Sequence, residues 1–369
     1  MISTLAFCLL GFTMIGDAVN TGDGLRFVDS GQTLGDGMSF SVALGDLDGD
    51  GDLDAWVAKD KANAVWRNDS TGTFTDSGQA LGNSMSLSVA LGTLDGDTTL
   101  DAWVANGWAV TSGPQPDEVW TNDGTGTFTD FGQRLGKRQS RSVALGDLDG
   151  DGDLDAWVAN APYAGTQHPG NSIWLNDGNG TFTDSGQVLG DRFSLSVALG
   201  DLDRDGDLDA WVTNAFQPNT IWVNDGTGTF TDSGQTHGSA NSSDVALGDL
   251  DDDGDLDAWV ANIGQSNIIW INDGTGTFTD PGQTLGKRKS RSVALADLDD
   301  DDDLDAWVAN VDGPDIIWLN DGTGGFTDSE LKLATGPSVS VALGDLDGDG
   351  DIDAWIANLG APDTVWFKD

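Results

Sequence analysis

A chain of 369 residues with 38% apolar residues and 15 tryptophans is too hydrophobic to stay disordered, even at a formal net charge of −46. That charge excludes nucleic acid as a partner and disfavours direct contact of the folded body with anionic membranes. Cys8 is the only cysteine, so the body has no disulfide. Of 62 acidic residues only Glu118 and Glu330 are glutamate, so the charge is carried by aspartate, a turn residue rather than a strand former.

Residues 1–20 open with an apolar run, MISTLAFCLLGFTMIG, that resembles the core of a secretion signal and is too short for a comfortable membrane span. A signal peptide or apolar leader is expected there, with the mature protein extracellular or at the cell surface. The folded body is expected over 21–369. Its first element, Arg26 to Gln32, reads RFVDSGQ and is an isolated strand without the rest of a unit before it.

From there one phrase, VALGDLDGDGDLDAWVAN with small variations, returns seven times, starting at Val42, Val89, Val143, Val197, Val245, Val293 and Val341. A spacing of about 50 residues in units of short strands predicts an all-β fold, a seven-bladed β-propeller. The third unit shows the four antiparallel strands expected in each blade: SVALGDL at 142–148, LDAWVAN at 154–160, SIWLND at 172–177 and TFTDSGQ at 181–187. The recurring N-D-G-x-G between the last two is a hairpin signal. Apolar residues on both faces, as in Leu154-Asp155-Ala156-Trp157-Val158, fit a sheet covered on both sides. The last unit stops after its third strand at Val365-Trp366-Phe367-Lys368-Asp369, and the N-terminal strand supplies the missing fourth, closing the ring.

Between the first two strands of each unit lies D-x-D-x-D-G-x-x-D. Three alternating carboxylates on a tight loop, closed by a fourth, offer the all-oxygen shell that Ca²⁺ prefers, and a chain with two histidines and one cysteine is a poor zinc or copper protein. Five loops match in full: Asp46, Asp48, Asp50 and Asp54; Asp147, Asp149, Asp151 and Asp155; Asp201, Asp203, Asp205 and Asp209; Asp249, Asp251, Asp253 and Asp257; Asp345, Asp347, Asp349 and Asp353. A sixth, Asp297, Asp299, Asp301 and Asp305, carries Asp302 in place of glycine, a residue that tolerates left-handed backbone. The second loop is degenerate: Thr93 replaces the first ligand and Thr98 the glycine, leaving Asp95, Asp97 and Asp101. About six calcium sites are therefore expected, structural rather than catalytic. The competing reading, solvated turn aspartates, does not account for four residues kept in register five times.

These units resemble the FG-GAP/VCBS repeats, the blades of the integrin α-subunit head and of many bacterial secreted proteins; seven-bladed fungal lectins are also similar. The resemblance covers roughly 21–369. It implies calcium loops on the lower face of the ring and ligands on the upper. The Phe-Gly and Gly-Ala-Pro signatures are only partly present, Asn160-Ala161-Pro162 coming nearest.

What differs between units is the candidate for function. Extra residues after the second strand of units two and three, 106–118 and 160–172, hold Trp108, Tyr163 and His168, and the linker joining these units holds Arg138 and Arg141. Clustered on one face, these five residues suit a protein or carbohydrate ligand. Plain loop decoration is the competing reading, with the arginines offsetting local acid, and a second basic linker at 287–291 favours it. No nucleophile–base pair is apparent, so a non-catalytic, monomeric binding or adhesion module is expected, with a polysaccharide lyase or hydrolase as the alternative.

Overall fold

The computed structural model describes residues 17–19, 24–109, 113–162 and 170–369, with the backbone alone for Asp17–Val19, Trp108 and Ala109. The sheets form the seven-bladed ring that the repeats predict, each with four antiparallel strands, A innermost to D outermost. Blades 1 to 6 span 39–76, 86–130, 139–184, 194–232, 242–279 and 290–328. Blade 7 takes strands A to C from Ser338–Gly344, Asp353–Asn358 and Thr364–Lys368, and strand D from Arg26–Asp29. Phe27 pairs with Lys368 and Asp29 with Trp366, so the termini close the ring together. A fifth strand, Asp17–Val19, adds to this blade by pairing with Arg26–Asp29; it falls within the segment set apart above as a leader, whose first 16 residues lie outside the described ones.

The cores lie between blades. The strand B tryptophans Trp56, Trp103, Trp157, Trp211, Trp259, Trp307 and Trp355 are completely buried. Each meets the strand D phenylalanine of the next blade edge-on, as Trp56 meets Phe128 at 4.5 Å and Trp355 meets Phe74 at 4.7 Å. At the closing seam the partner is Phe27, 5.0 Å from Trp307. Strand A ends in a glycine because the next blade comes too close for a side chain. A Cβ on Gly200 would stand 2.7 Å from Leu256. The one departure, Ala296, has as its counterpart in the next blade the one departure from leucine, Ile352.

Polar ties reinforce each seam. The glutamine after strand D reaches into the following blade: Gln32 donates to the Gly72 carbonyl at 2.7 Å and accepts from the Phe74 amide at 2.8 Å. Gln79, Gln133, Gln187, Gln235 and Gln283 repeat the clasp. Blade 6 has Leu331 at that position, buried with Leu25 and Phe27, so the last seam replaces the clasp with apolar contact. On the upper face, an Asn or Asp just before strand C accepts the N–H of the last strand B residue: Asn219 from Asn214 at 3.0 Å, Asp117 from Asn106 at 2.8 Å, Asp315 from Asn310 at 2.8 Å. Its other side-chain atom meets a serine of the next blade, Asn219 with Ser242 and Asp117 with Ser140.

Deletion of residues 21–35 is expected to cause aggregation and loss of cooperative unfolding, read by size exclusion and thermal melting, whereas deletion of 1–16 leaves both unchanged. Phe27→Ala alone is expected to cost about 3 kcal/mol. Equal stability of the longer truncation would overturn the closure.

Burial pushes Asp117 up to about 7, Asp315 to about 8 and Asp363 to about 6. Their folded values lie above the unfolded one, so their contribution is complete below pH about 4 and is lost as pH rises through 6 to 8. Asn already serves at this position in other blades. At pH 8.5 and saturating calcium, Asp117→Asn and Asp315→Asn are each expected to stabilise by roughly 1 kcal/mol or more, with no gain at pH 4. The same change at both pH values would refute this origin.

Candidate functional site

Six of the seven A–B loops turn at two positions with positive φ. In blade 1 these are Gly49 at 82° and Gly51 at 96°. The first is Arg204, Asp252 or Asp300 in blades 4, 5 and 6, at 63° to 65°. Asp302 takes φ 73°, so the sixth loop keeps its turn without glycine. Thr98 is not left-handed, as its branched Cβ dictates, and the second loop departs from the common path there.

The turn gathers carboxylates. Oxygens of Asp46, Asp48 and Asp50, of Asp147, Asp149 and Asp155, of Asp201, Asp203 and Asp209, and of Asp249, Asp251 and Asp257 lie within 4.8 Å of one another. Asp95, Asp97 and Asp101 do the same, but Asp97 Oδ1 is already held by the Thr99 amide and hydroxyl, both at 2.7 Å. The closing aspartate is the fixed point. Asp54 is wholly buried and accepts the Leu47 amide at 3.0 Å and the Asn68 amide at 2.8 Å, joining the loop to strand C. Asp155, Asp209, Asp257 and Asp305 repeat this. In blade 7 the strand C donor is Lys368.

Two features fit a hard divalent cation. Asp48, Asp149, Asp203 and Asp251 each bury Oδ1 with no hydrogen-bond partner, as does Asp201. Burial, and then the like charge of neighbouring aspartates, raises Asp48, Asp149, Asp203, Asp251 and Asp347 above the ordinary carboxylate value. Burial likewise takes Asp54, Asp101, Asp155 and Asp209 to about 6 and Asp257, Asp305 and Asp353 to about 7. A cation among oxygens that lack donors offsets both costs. A donor set made of carboxylate oxygens is compatible with calcium. Each cluster also abuts the next blade. Asn122 Nδ2 donates to the Leu47 carbonyl at 2.8 Å, and Gly126 packs on Asp48.

On the opposite face the expected cluster is only partly described. Trp108–Ala109 pairs with Gly113–Pro114 in a small hairpin off blade 2. Tyr163 and His168 lie outside the described residues. Arg138 donates to the Gly170 carbonyl at 3.2 Å, which seats the linker against the end of the blade 3 insertion. Arg141 does not join it. Strand A carries a bulge at this point, between Ser140 and Ser142, and the extra residue is aimed into the central channel, where Arg141 meets Arg291. The second basic linker, read as charge compensation, supplies that second arginine.

The repeat pattern also hid two further features. His237 occupies the buried place held by Leu81 or Leu189 in other blades, stacks on Trp211 at 4.9 Å, and is lowered to about 4 by burial, so it is a core residue. A concavity of about 490 Å³ opens at the closing seam, lined by Gln32, Lys332, Thr335, Pro362 and Trp366. The signal for it was the irregular linker SELKLATG, which lacks the G-Q-x-L-G of the other units, where only His237 departs from the leucine.

No curated protein matches the chain. Among solved structures, BBS1N in complex with ARL6DN, soaked with mercury, superimposes with a TM-score of 0.63 at 9% identity, over 92% of this chain and 94% of that one. The lead-soaked crystal of the same complex gives 0.62 at 11% identity, over 89% and 92%. At such identities the likeness is one of fold. The model of the FG-GAP-like repeat matches six times, at residues 46–104, 94–158, 163–212, 201–260, 249–308 and 297–356, five of the matches running from one metal loop into the next blade and one starting in the blade 3 insertion. The chain therefore belongs to the FG-GAP-like repeat family, whose propellers generally act as binding modules.

Proposed function

We propose that this propeller is a calcium-stabilised, extracellular or cell-surface binding module that takes a protein or glycan ligand on the face opposite its metal loops, acting as a monomer and without catalysis. The observation that carries the reading is the division of the molecule. One face repeats buried carboxylate oxygens without donors, and the other bears the residues that do not repeat. Trp108 and Tyr163 would supply stacking area and Arg138 a polar anchor. The expected calcium ligands are the aspartates of the five full loops and of the sixth, Asp297, Asp299, Asp301 and Asp305; the ions would join each loop to the neighbouring blade.

EDTA is expected to lower the melting temperature by more than 10 °C, since each site saturated ten-fold contributes about 1.4 kcal/mol. An unchanged melting curve would refute the role of metal. Thr93→Asp/Thr98→Gly restores the missing ligand and the turn of the second loop. Equilibrium dialysis should then find one more calcium per chain than in the parent, and equal stoichiometry would refute the account of that loop.

A glycan and protein array, read with calcium and with EDTA, identifies the ligand. Trp108→Ala/Tyr163→Ala is expected to weaken its binding at least ten-fold with unchanged calcium-dependent melting. Unaltered affinity would move the site elsewhere. Polysaccharide depolymerisation by the purified chain would replace the binding reading with the enzymatic one.

A further inference from the structure

Every strand A carries the same bulge, as between Ser39 and Ser41 in blade 1 or Ser290 and Ser292 in blade 6. A bulge leaves one residue outside the ladder and re-aims its side chain. Here the seven bulge residues line the mouth of the central channel on the face away from the metal loops. Five are uncharged: Phe40, Leu87, Leu195, Ser243 and Val339. The other two, from blades 3 and 6, are Arg141 and Arg291.

Two arginines facing one cavity are out of place in this protein. Several other cations take carboxylate partners: Arg67 lies by Asp48, Arg134 by Asp130, Arg204 by Asp255 and Lys368 by Asp300. Among the described residues neither Arg141 nor Arg291 makes an ion pair. Arg141 stands over the Phe193 ring at 5.4 Å, and its Nε is buried with no hydrogen-bond partner. Burial lowers both guanidiniums from their ordinary value, and the positive charge of Arg291 lowers Arg141 further.

The layer beneath is rich in hydroxyls. It contains Ser41, Ser88, Ser142, Ser292 and Ser340, in a cavity of about 130 Å³ below the upper one of about 210 Å³. Ser88, Ser292 and Ser340 each accept the valine N–H of the next strand A, at 3.4 to 3.5 Å, which leaves the O–H groups of Ser88 and Ser340 as donors, while Ser292 bonds to Asp244. The one carboxylate of the layer, Asp244, is already engaged by the Ser196 hydroxyl at 2.7 Å and the Val293 amide at 3.1 Å.

We propose that the channel mouth is an oxyanion site in which Arg141 and Arg291, from blades 3 and 6, hold a compact carboxylate- or sulfate-bearing ligand above the serine layer. The guanidinium fork matches either group, and an anion between the two removes their mutual repulsion. The volume admits a small free anion or a single acidic group and no folded segment. This site is separate from the blade 2 and 3 face and does not rest on what binds there.

The test uses the full chain, saturated with calcium, and thermal melting in sodium malonate or sodium sulfate against sodium chloride at matched ionic strength. Malonate or sulfate is expected to raise the melting temperature by about 2 °C or more over chloride at roughly ten times its Kd. Whichever of the two acts at the lower concentration tells the carboxylate source from the sulfate source. Arg141→Leu/Arg291→Leu puts at both positions a residue that Leu87 and Leu195 already place in the ring, so it should fold, melt no lower than the parent in chloride, and show no specific anion response. Each single variant should need about ten-fold more anion or more. Arg141→Gln/Arg291→Gln repeats the test with polar side chains. An equal response in the double variants, or none in the parent at 10 mM of either anion, overturns the proposal.

Discussion

A four-stranded sheet with apolar residues on both faces has no stable existence in water by itself, and every blade here is such a sheet. The dependence is visible in one contact. The indole of strand B is wholly buried, yet the phenylalanine that buries it belongs to the next blade. No blade owns a core; seven clusters of buried residues lie at or across the seams. A linear stack of such units would leave two bare apolar faces, and the ring leaves none. Closure is thus a condition for the fold rather than an ornament of it.

The polar groups obey the same logic. Asparagines of the C–D turns reach back to the metal loop of the preceding blade, as Asn224 does to the Leu148 carbonyl at 2.9 Å, while glutamines after strand D reach forward. The acidic loops therefore form part of each seam. Carboxylates crowded where blades meet repel one another unless a cation sits among them, so a charge that looks like a matter of solubility bears on how the ring holds together.

Blade number, strand order, closure and loop positions were legible because they depend on periodicity, and periodicity survives in a single sequence. What escaped depends on local backbone geometry or on exceptions within the repeat. Arg141 and Arg138 are three residues apart and read as one basic patch, but a bulge sends Arg141 to the axis. His237 read as a loop residue because the buried leucine position it fills lies just beyond the last strand. The Asn or Asp before strand C carries a hydrogen bond in every blade, but its chemistry looks like an ordinary turn. The first left-handed position of the metal loop is filled by Gly, Arg or Asp and so left no consistent trace.

The pairing of Phe27 with Lys368 has a consequence for how the molecule comes into being. Strand D of the last blade, the first strand of the ring in chain order, finds its strand C neighbour at the far end of the ring's sequence. Until that neighbour is made, Arg26–Asp29 has only Asp17–Val19 to pair with, and Phe27 has no blade from which to cover Trp307. Contacts so far apart in sequence raise the contact order and slow the final step, because the loop they close contains the whole ring. The ring thus closes only once its seventh blade is present, and until then the six blades before it wait, open, for their last neighbour.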